Sequence, residues 1–407
     1  MKTKFILSLF VSLIICFNCS NILMADDSFK KLWKAKSENK IEKIFAIYLD
    51  KNKIKEILVL SKCKELGRCE KLELYSWERG TFVKRWQSSK VQEGVDIKYY
   101  DFNNLLSIKI YNSLNKTITS YKLSYEDGKC ELKETKNAQI PFWQGENYVT
   151  SGSFKKKGNH DVLITSEGEL ELHLNIREAI FPYRLLWTSP FKIYKYEGVH
   201  VFGDFNGDKE LELLVIPYRE TIGYWLSSKG KEFEVKEIKS YRKSKDNITL
   251  PLFPINAMYP EKYLQAGRTT SKDFDEIYFI DENLYGGPLY KAVWQKDRFK
   301  IEEILSTKGI TGYDNLNLAD IDNDGLDEII ISEIRGDLVE TEEEPFIKNH
   351  RDVIHILKWN GKKYKKIWTS QSLGAITQIL VDDVTGDGKK EIVVGNAKGE
   401  LHIFGQK

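Results

Sequence analysis

Short β-rich runs, each introduced by one acidic residue, recur along the chain. Glu56 precedes Ile-Leu-Val-Leu, Asp161 precedes Val-Leu-Ile, Glu212 precedes Leu-Leu-Val-Ile, Glu276 precedes Ile-Tyr-Phe-Ile, Glu328 precedes Ile-Ile-Ile and Glu391 precedes Ile-Val-Val. Ser107, before Ile-Lys-Ile-Tyr, fills the same slot without the acid. The interval is about 50–65 residues, the length of one supersecondary unit. A second pattern runs in phase: a turn with an aromatic residue or Gly, then an apolar strand that often ends at Trp. Trp77-Glu-Arg-Gly80 leads through Phe82 to Trp86, and Trp359-Asn-Gly361 leads through Tyr364 to Trp368. Weaker copies are Trp225 with Phe233, Trp294 with Phe299, Tyr125 with Leu132, and the stretch from Ala179 to Trp187. Seven units of about four short strands each predict an all-β chain folded as a seven-bladed β-propeller.

The chain ends carry the same pattern. The last unit stops at Leu401-His-Ile-Phe404, before its second marker, while Ser28 to Ser37 matches Lys362 to Ser370 near the other end. The N-terminal strand is therefore expected to complete the last blade, so that the ring closes without an exposed sheet edge. Trp33, Trp86, Trp187 and Trp368 are expected to pack between blades.

Ahead of this strand, Lys2 and Lys4 precede an apolar run from Phe5 to Phe17, and Leu-Met-Ala25 stands before Asp26-Asp27. A basic start, a short apolar core and a small residue at the cut predict a signal peptide over residues 1–25, with the propeller over 26–407. The apolar run is short for a bilayer span, so no integral membrane span is expected after cleavage. The expected location is secreted, in a bacterial periplasm or at the cell surface. Export permits disulfides. Cys63 and Cys69 flank a turn-like Lys-Glu-Leu-Gly-Arg and are expected to staple a hairpin, leaving Cys130 free. The 62 Lys+Arg against 60 Asp+Glu leave a formal charge of +2, which gives no bulk reason for nucleic acid as a partner.

Three units carry a fuller set of oxygen side chains: Asp204, Asn206, Asp208 and Glu212; Asp320, Asp322, Asp324 and Glu328; Asp383, Thr385, Asp387 and Glu391. They stand at loop positions 1, 3, 5 and 9. Alternate residues of a tight loop point the same way, and hard oxygens in a flexible loop suit Ca²⁺. Gly325 and Gly388 supply the positive φ such a turn needs. No Glu stands at position 12 and no helix pattern follows, which excludes an EF-hand.

Val201-Phe-Gly-Asp204-Phe-Asn-Gly-Asp208, Asp320-Ile-Asp-Asn-Asp-Gly325 and Asp383-Val-Thr-Gly-Asp-Gly388 resemble the FG-GAP/VCBS repeat family, which is similar to the integrin α-subunit propeller. The resemblance implies seven blades, with two or three structural calcium ions in hairpin loops of individual blades. The units at Asp50, Asp101, Ser153 and Arg268 lack the full ligand set and are expected to hold none. Lys155, Lys157 and Lys272 stand in or beside their ligand slots, where an ammonium would replace the ion's charge.

No phosphate loop or nucleophile elbow is present, and the six His are scattered over different units. Two insertions stand out, Asp337 to Arg351 and Arg242 to Arg268, and loops that outgrow a scaffold are where recognition usually lies. The leading expectation is a non-catalytic binding or scaffold propeller that contacts a protein or glycan through one face. The alternatives are a propeller enzyme acting on polysaccharide, as lyase or hydrolase, and a lectin with sugar sites between blades.

Overall fold

The computed structural model describes most of residues 28–407: the backbone of every strand named below, and side chains over 28–37, 39–48, 54–62, 71–88, 185–190, 200–215, 223–228, 232–238, 263–281, 286–296, 298–307, 312–339, 341 and 346–407. The predicted leader lies outside the described residues, as do the side chains of Cys63, Cys69, Cys130, Lys155 and Lys157.

The chain is all-β. Strand β1 (Phe29–Lys36) stands apart from the strands that follow it. The first sheet holds β2 (Lys40–Ile47), β3 (Glu56–Lys62), β4 (Cys69–Glu78) and β5 (Thr81–Gln87), with short β6 (Val91–Gln92) on β4. The second holds β7 (Val95–Tyr100), β8 (Leu105–Asn112), β9 (Thr117–Glu126) and β10 (Lys129–Glu134); the third holds β11 (Val149–Ser153), β12 (Asp161–Glu167), β13 (Glu171–Glu178) and β14 (Leu185–Tyr194). The fourth holds β15 (Gly198–Gly203), β16 (Glu212–Pro217), β17 (Ile222–Lys229) and β18 (Glu232–Lys239), and a two-stranded hairpin, β19 (Tyr241–Lys243) with β20 (Thr249–Pro251), follows it. The fifth holds β21 (Leu264–Gly267), β22 (Glu276–Ile280), β23 (Leu289–Gln295) and β24 (Arg298–Leu305). In the sixth, β25 (Tyr313–Ala319) and β26 (Glu328–Glu333) are followed by a separate hairpin, β27 (Asp337–Val339) with β28 (Phe346–Lys348), and then by β29 (Val353–Trp359) and β30 (Tyr364–Thr369). The last sheet is β31 (Ile376–Asp382), β32 (Glu391–Asn396) and β33 (Glu400–Gln406), and β1 pairs antiparallel with β33 along its length.

Each sheet is an antiparallel meander, the blade plan of a β-propeller. The acidic marker is the first residue of the second strand in six of the sheets, at Glu56, Asp161, Glu212, Glu276, Glu328 and Glu391. Where their side chains are described, these second strands are buried on both faces, as the continuous runs Ile57–Leu60, Ile277–Ile280 and Ile329–Ile331 require. Fourth strands are more exposed: five of seven residues in β5 and half of those in β24. First strands abut from sheet to sheet: β11 on β15, β15 on β21, β21 on β25, β25 on β31, and β31 on β2.

Aromatic residues fill the gaps between sheets. Trp187 meets Phe233, Trp225 meets Trp294, and Trp368 meets Phe29, at centroid distances of 5.9, 4.6 and 5.5 Å. Trp33 of β1 packs on Tyr75 and Phe82 of the first sheet. Thus β1 pairs with the last sheet and packs on the sixth through Phe29 and on the first through Trp33.

Alternating strand direction separates the connections. Links from first to second strand and from third to fourth lie on one face. Links from second to third strand, and from sheet to sheet, lie on the other. The β27–β28 hairpin joins second to third strand, and β19–β20 joins the fourth sheet to the fifth. Both insertions therefore emerge opposite the three carboxylate loops, which join first to second strands. Among the described residues no helix is long and apolar enough to cross a membrane.

Candidate metal centre

Each carboxylate loop is anchored by an apolar residue at its second position. Phe205, Ile321 and Val384 are buried in the core. Burial carries the backbone N–H of each inward, where it donates to the glutamate that closes the loop: Phe205 to Glu212 at 2.9 Å, Ile321 to Glu328 at 3.0 Å and Val384 to Glu391 at 3.0 Å. The opening aspartate accepts N–H groups from the far side. Gly207 donates to Asp204 (2.9 Å), Asp324 and Gly325 donate to Asp320 (3.0 and 2.9 Å), and Gly386 and Gly388 donate to Asp383 (2.7 and 2.9 Å). The aspartates at position five hold the descending limb, Asp208 through Glu210 N–H, Asp324 through Leu326 N–H and Asp387 through Lys389 N–H. At position three, Asn206 donates to Glu212 at 2.7 Å and Thr385 donates to Glu391 at 3.3 Å.

The structure thus places all twelve sequence-predicted residues in three matching loops. Gly325 and Gly388 have φ of 88° and 84°, as the turn requires, while Lys209 takes the same place in the first loop at 74°.

The closing glutamates are almost wholly buried. Burial pushes Glu212 up to about 8 and Glu328 and Glu391 up to about 7, against the N–H groups that favour their charge. Burial also raises Asp204. Such groups call for a positive neighbour. In the Asp320 loop, oxygens of Asp320, Asp322 and Glu328 lie within 4.8 Å of one another, which matches oxygens sharing one ion at about 2.3–2.6 Å. The donor set is hard oxygen throughout, and it fits Ca²⁺.

Sequence reasoning missed the lysine that meets these carboxylates. Lys358 of β29 donates to Asp322, to Asp324 at 2.7 Å and pairs with Glu328 at 3.1 Å. Its position is legible only from register: Ile329 pairs with Leu357, so Lys358 falls beside Glu328. Burial pulls this ammonium's pKa down, but the three carboxylates outweigh burial and hold it above its ordinary value. Their hydrogen bond from Lys358 in turn lowers Asp324.

Lys272 corrects an expectation. It does not serve the glutamate of its own loop but reaches the Asp324 carbonyl oxygen in the next sheet. Glu276 is met instead by Lys291 at 3.3 Å and by the hydroxyls of Thr270 and Tyr278. The reason is geometric. Lys291 stands opposite Tyr278 on the adjacent strand, whereas Lys272 sits at the loop tip.

The same face is laced between sheets. Asp204 N–H donates to Asp275 Oδ2 and Asp275 N–H to Asp204 O, both at 2.7 Å. Arg268, in place of the opening aspartate in the fifth sheet, bridges Asp204 and Asp275 through its guanidinium. Its N–H donates to Asp327 Oδ2 at 2.8 Å, and Asp327 N–H donates back to its carbonyl at 2.7 Å. Lys55 pairs with Asp382 across the last and first sheets at 2.9 Å.

On the insertion face, buried His355 sits with Nε2 2.6 Å from Glu333 and Nδ1 2.9 Å from Thr369. Both ring nitrogens are engaged, and the cluster ties β26, β29 and β30 together. Asp352 accepts the N–H groups of Arg335 and Ile376 and fixes the base of the β27–β28 insertion to the last sheet.

No family model matches the chain, and no curated protein matches it. Among solved structures, the WD40 domain of SCAP from fission yeast is similar, at 11% identity and a TM-score of 0.45, over 94% of this chain and 96% of that chain.

Proposed function

We propose that residues 26–407 form an exported, closed seven-bladed propeller of FG-GAP/VCBS type, which binds a protein or glycan through the face that carries the two insertions. Calcium in two or three of the opposite loops is structural in this reading: Asp204, Asn206, Asp208 and Glu212, and Asp383, Thr385, Asp387 and Glu391, would hold it, and Asp320, Asp322, Asp324 and Glu328 offer the same donors to whichever cation occupies their loop. The ion would supply charge compensation for buried glutamates and no chemistry on a substrate. The observation that carries the proposal is the separation of faces. The carboxylates are committed to N–H groups of their own loops on one side, while the β27–β28 hairpin stands outside its sheet on the other and exposes Phe346. The pairing of β1 with β33, and its packing on sheets at either side, support closure. The lectin alternative loses support where Trp33, Trp187 and Trp368 are spent on other rings.

The test compares capture from the source cell's envelope extract by the parent, by a variant with residues 337–351 replaced by a short Gly-rich turn, and by Asp387→Ala. Loss of the captured partner in the first variant and retention in the second is expected. The reverse pattern, with both variants folded, would move the binding site to the carboxylate face.

A further inference from the structure

The three loops share a backbone plan but differ in what stands over their carboxylates. In the Asp383 loop, no lysine or arginine pairs with Asp383, Asp387 or Glu391 among the described residues. In the Asp204 loop, Arg268 touches only the rear oxygen of the opening aspartate, at 3.3 Å, and the Asn206 amide spans Asp208 and Glu212. In the Asp320 loop, one ammonium lies on three carboxylates at once, and a second, from Lys272, lies on the Asp324 carbonyl. Cross-strand register explains the difference. The position beside the closing glutamate is Lys358 in the sixth sheet. One residue beyond the Leu213–Leu226 and Ile392–Phe404 pairs, it is Ser227 in the fourth and Gly405 in the last. A side chain at Gly405 would run into Leu32, its Cβ 2.6 Å from Leu32 Cδ1, so this position beside Glu391 has no room for a lysine without a shift of Leu32. Only the sixth sheet, among these three, brings its own cation to the loop.

We propose that Lys358 is the resident cation of the Asp320 loop, doing there what a divalent ion does in the Asp204 and Asp383 loops, and that it excludes calcium from the most acidic of the three. The part concerning calcium rests on the proposed function above; the part concerning the lysine does not. Asp322, Asp324 and Glu328 converge because an ammonium collects them, and a Ca²⁺ ion entering the loop must displace that ammonium from the same oxygens. An ammonium and a Ca²⁺ ion on the same oxygens repel across a few ångströms, so calcium entry must include moving the ammonium aside and breaking its three carboxylate contacts. The loop with four carboxylates therefore binds calcium more weakly than the loop with Thr385. The lysine also sets specificity. A monovalent ammonium delivered at fixed position makes the sixth sheet independent of the calcium supply, while the fourth and last sheets respond to it.

The experiment is a melting series on the mature chain, parent against Lys358→Met, each in chelator and in millimolar calcium. In chelator, Lys358→Met is expected to melt well below the parent, because three carboxylates lose their counter-ion. In calcium it is expected to recover more than the parent does, with calcium affinity at this loop raised at least about tenfold once the competing charge is gone. A Lys358→Met protein that melts like the parent in chelator overturns the resident-cation claim. An equal calcium-induced shift in both proteins overturns the exclusion claim. If no protein responds to calcium, the calcium reading of all three loops fails, and the chelator arm still decides the role of the lysine. Should Lys358→Met not fold, equilibrium dialysis of the parent against Asp322→Ala and Asp387→Ala decides instead. Bound calcium unchanged in Asp322→Ala and reduced by one ion in Asp387→Ala supports exclusion, and loss of an ion in Asp322→Ala overturns it.

Discussion

Replacing Phe29 by Ala probes the strand proposed to close the ring. Phe29 is 8% exposed, pairs in register with Gln406, and sets its ring 5.5 Å from Trp368 of the sixth sheet. Truncating a buried Phe costs about 3–5 kcal/mol through lost burial and the cavity left behind. Because Phe29 opens its strand and keeps some exposure, the low end, about 3 kcal/mol, applies. An unfolding entropy of about 2.1 cal/mol/K per residue over about 380 residues gives roughly 0.8 kcal/mol/K, so the melting temperature should fall by about 4 °C. Val83, exposed at 39% on β5, is the control: Val83→Ala should stay within about 0.5 kcal/mol, under 1 °C. Differential scanning calorimetry at one scan rate measures both. A Phe29→Ala protein that melts within about 1 °C of the parent would show that β1 does not clamp the sixth sheet to the last. Deleting residues 26–38 should do more, uncovering the edge of β33 and promoting aggregation.

Four further outcomes are expected. Lys209→Gly should stabilise the protein by about 0.5–1 kcal/mol, since Lys209 holds a positive φ that the matching glycines take without strain; chemical denaturation reads the gain. Asp327→Ala should cost about 1–3 kcal/mol by leaving the Arg268 N–H without its acceptor, measured the same way. Burial holds His200 and His402 near a pKa of about 4, so between pH 6.5 and 4 the unfolded chain binds protons the folded one refuses. Each histidine should therefore withdraw up to about 2–3 kcal/mol as pH drops through that window, against the buried glutamates of the loops, whose raised pKa values favour the folded chain as pH falls. The difference between parent and His402→Gln across the window reads the histidine alone. Calcium at about 100 times its dissociation constant should add roughly 2.7 kcal/mol per occupied loop, a gain removed by chelator.

Much of the architecture is legible in the sequence because one residue type does one job at each repeat. In the three carboxylate loops the acid that opens the second strand accepts the N–H of the loop's buried second residue, so its place is fixed by hydrogen bonding, and Glu56 and Glu276 mark strand starts in the same way as Glu212, Glu328 and Glu391. Trp33 and Trp368 are legible because a large ring in an outer or edge strand has only the neighbouring sheet to pack on. The contents of the loops are less legible. Lys358 lies 30 residues beyond Glu328 in the chain, across an insertion, and becomes its neighbour only through the β26–β29 register. Lys272 sits in a ligand slot by spacing, yet it serves another sheet because its side chain leaves the loop tip. The reciprocal bonds of Arg268 with Asp327 and of Asp204 with Asp275 each pair one backbone–backbone bond with one to an aspartate carboxylate, and the donor N–H in each lies in a neighbouring sheet, 59 and 71 residues away, so spacing along the chain does not reveal them.

A closed ring whose carboxylate loops are stapled by cations should be visible in an anomalous difference map of the mature protein crystallised with calcium. The map should show seven four-stranded blades with residues 29–36 in the last, anomalous peaks in the Asp204 and Asp383 loops, and Lys358 Nζ in the Asp320 loop. A different number of blades, or loops at Asp204 and Asp383 without a peak at millimolar calcium, would contradict the stapled ring.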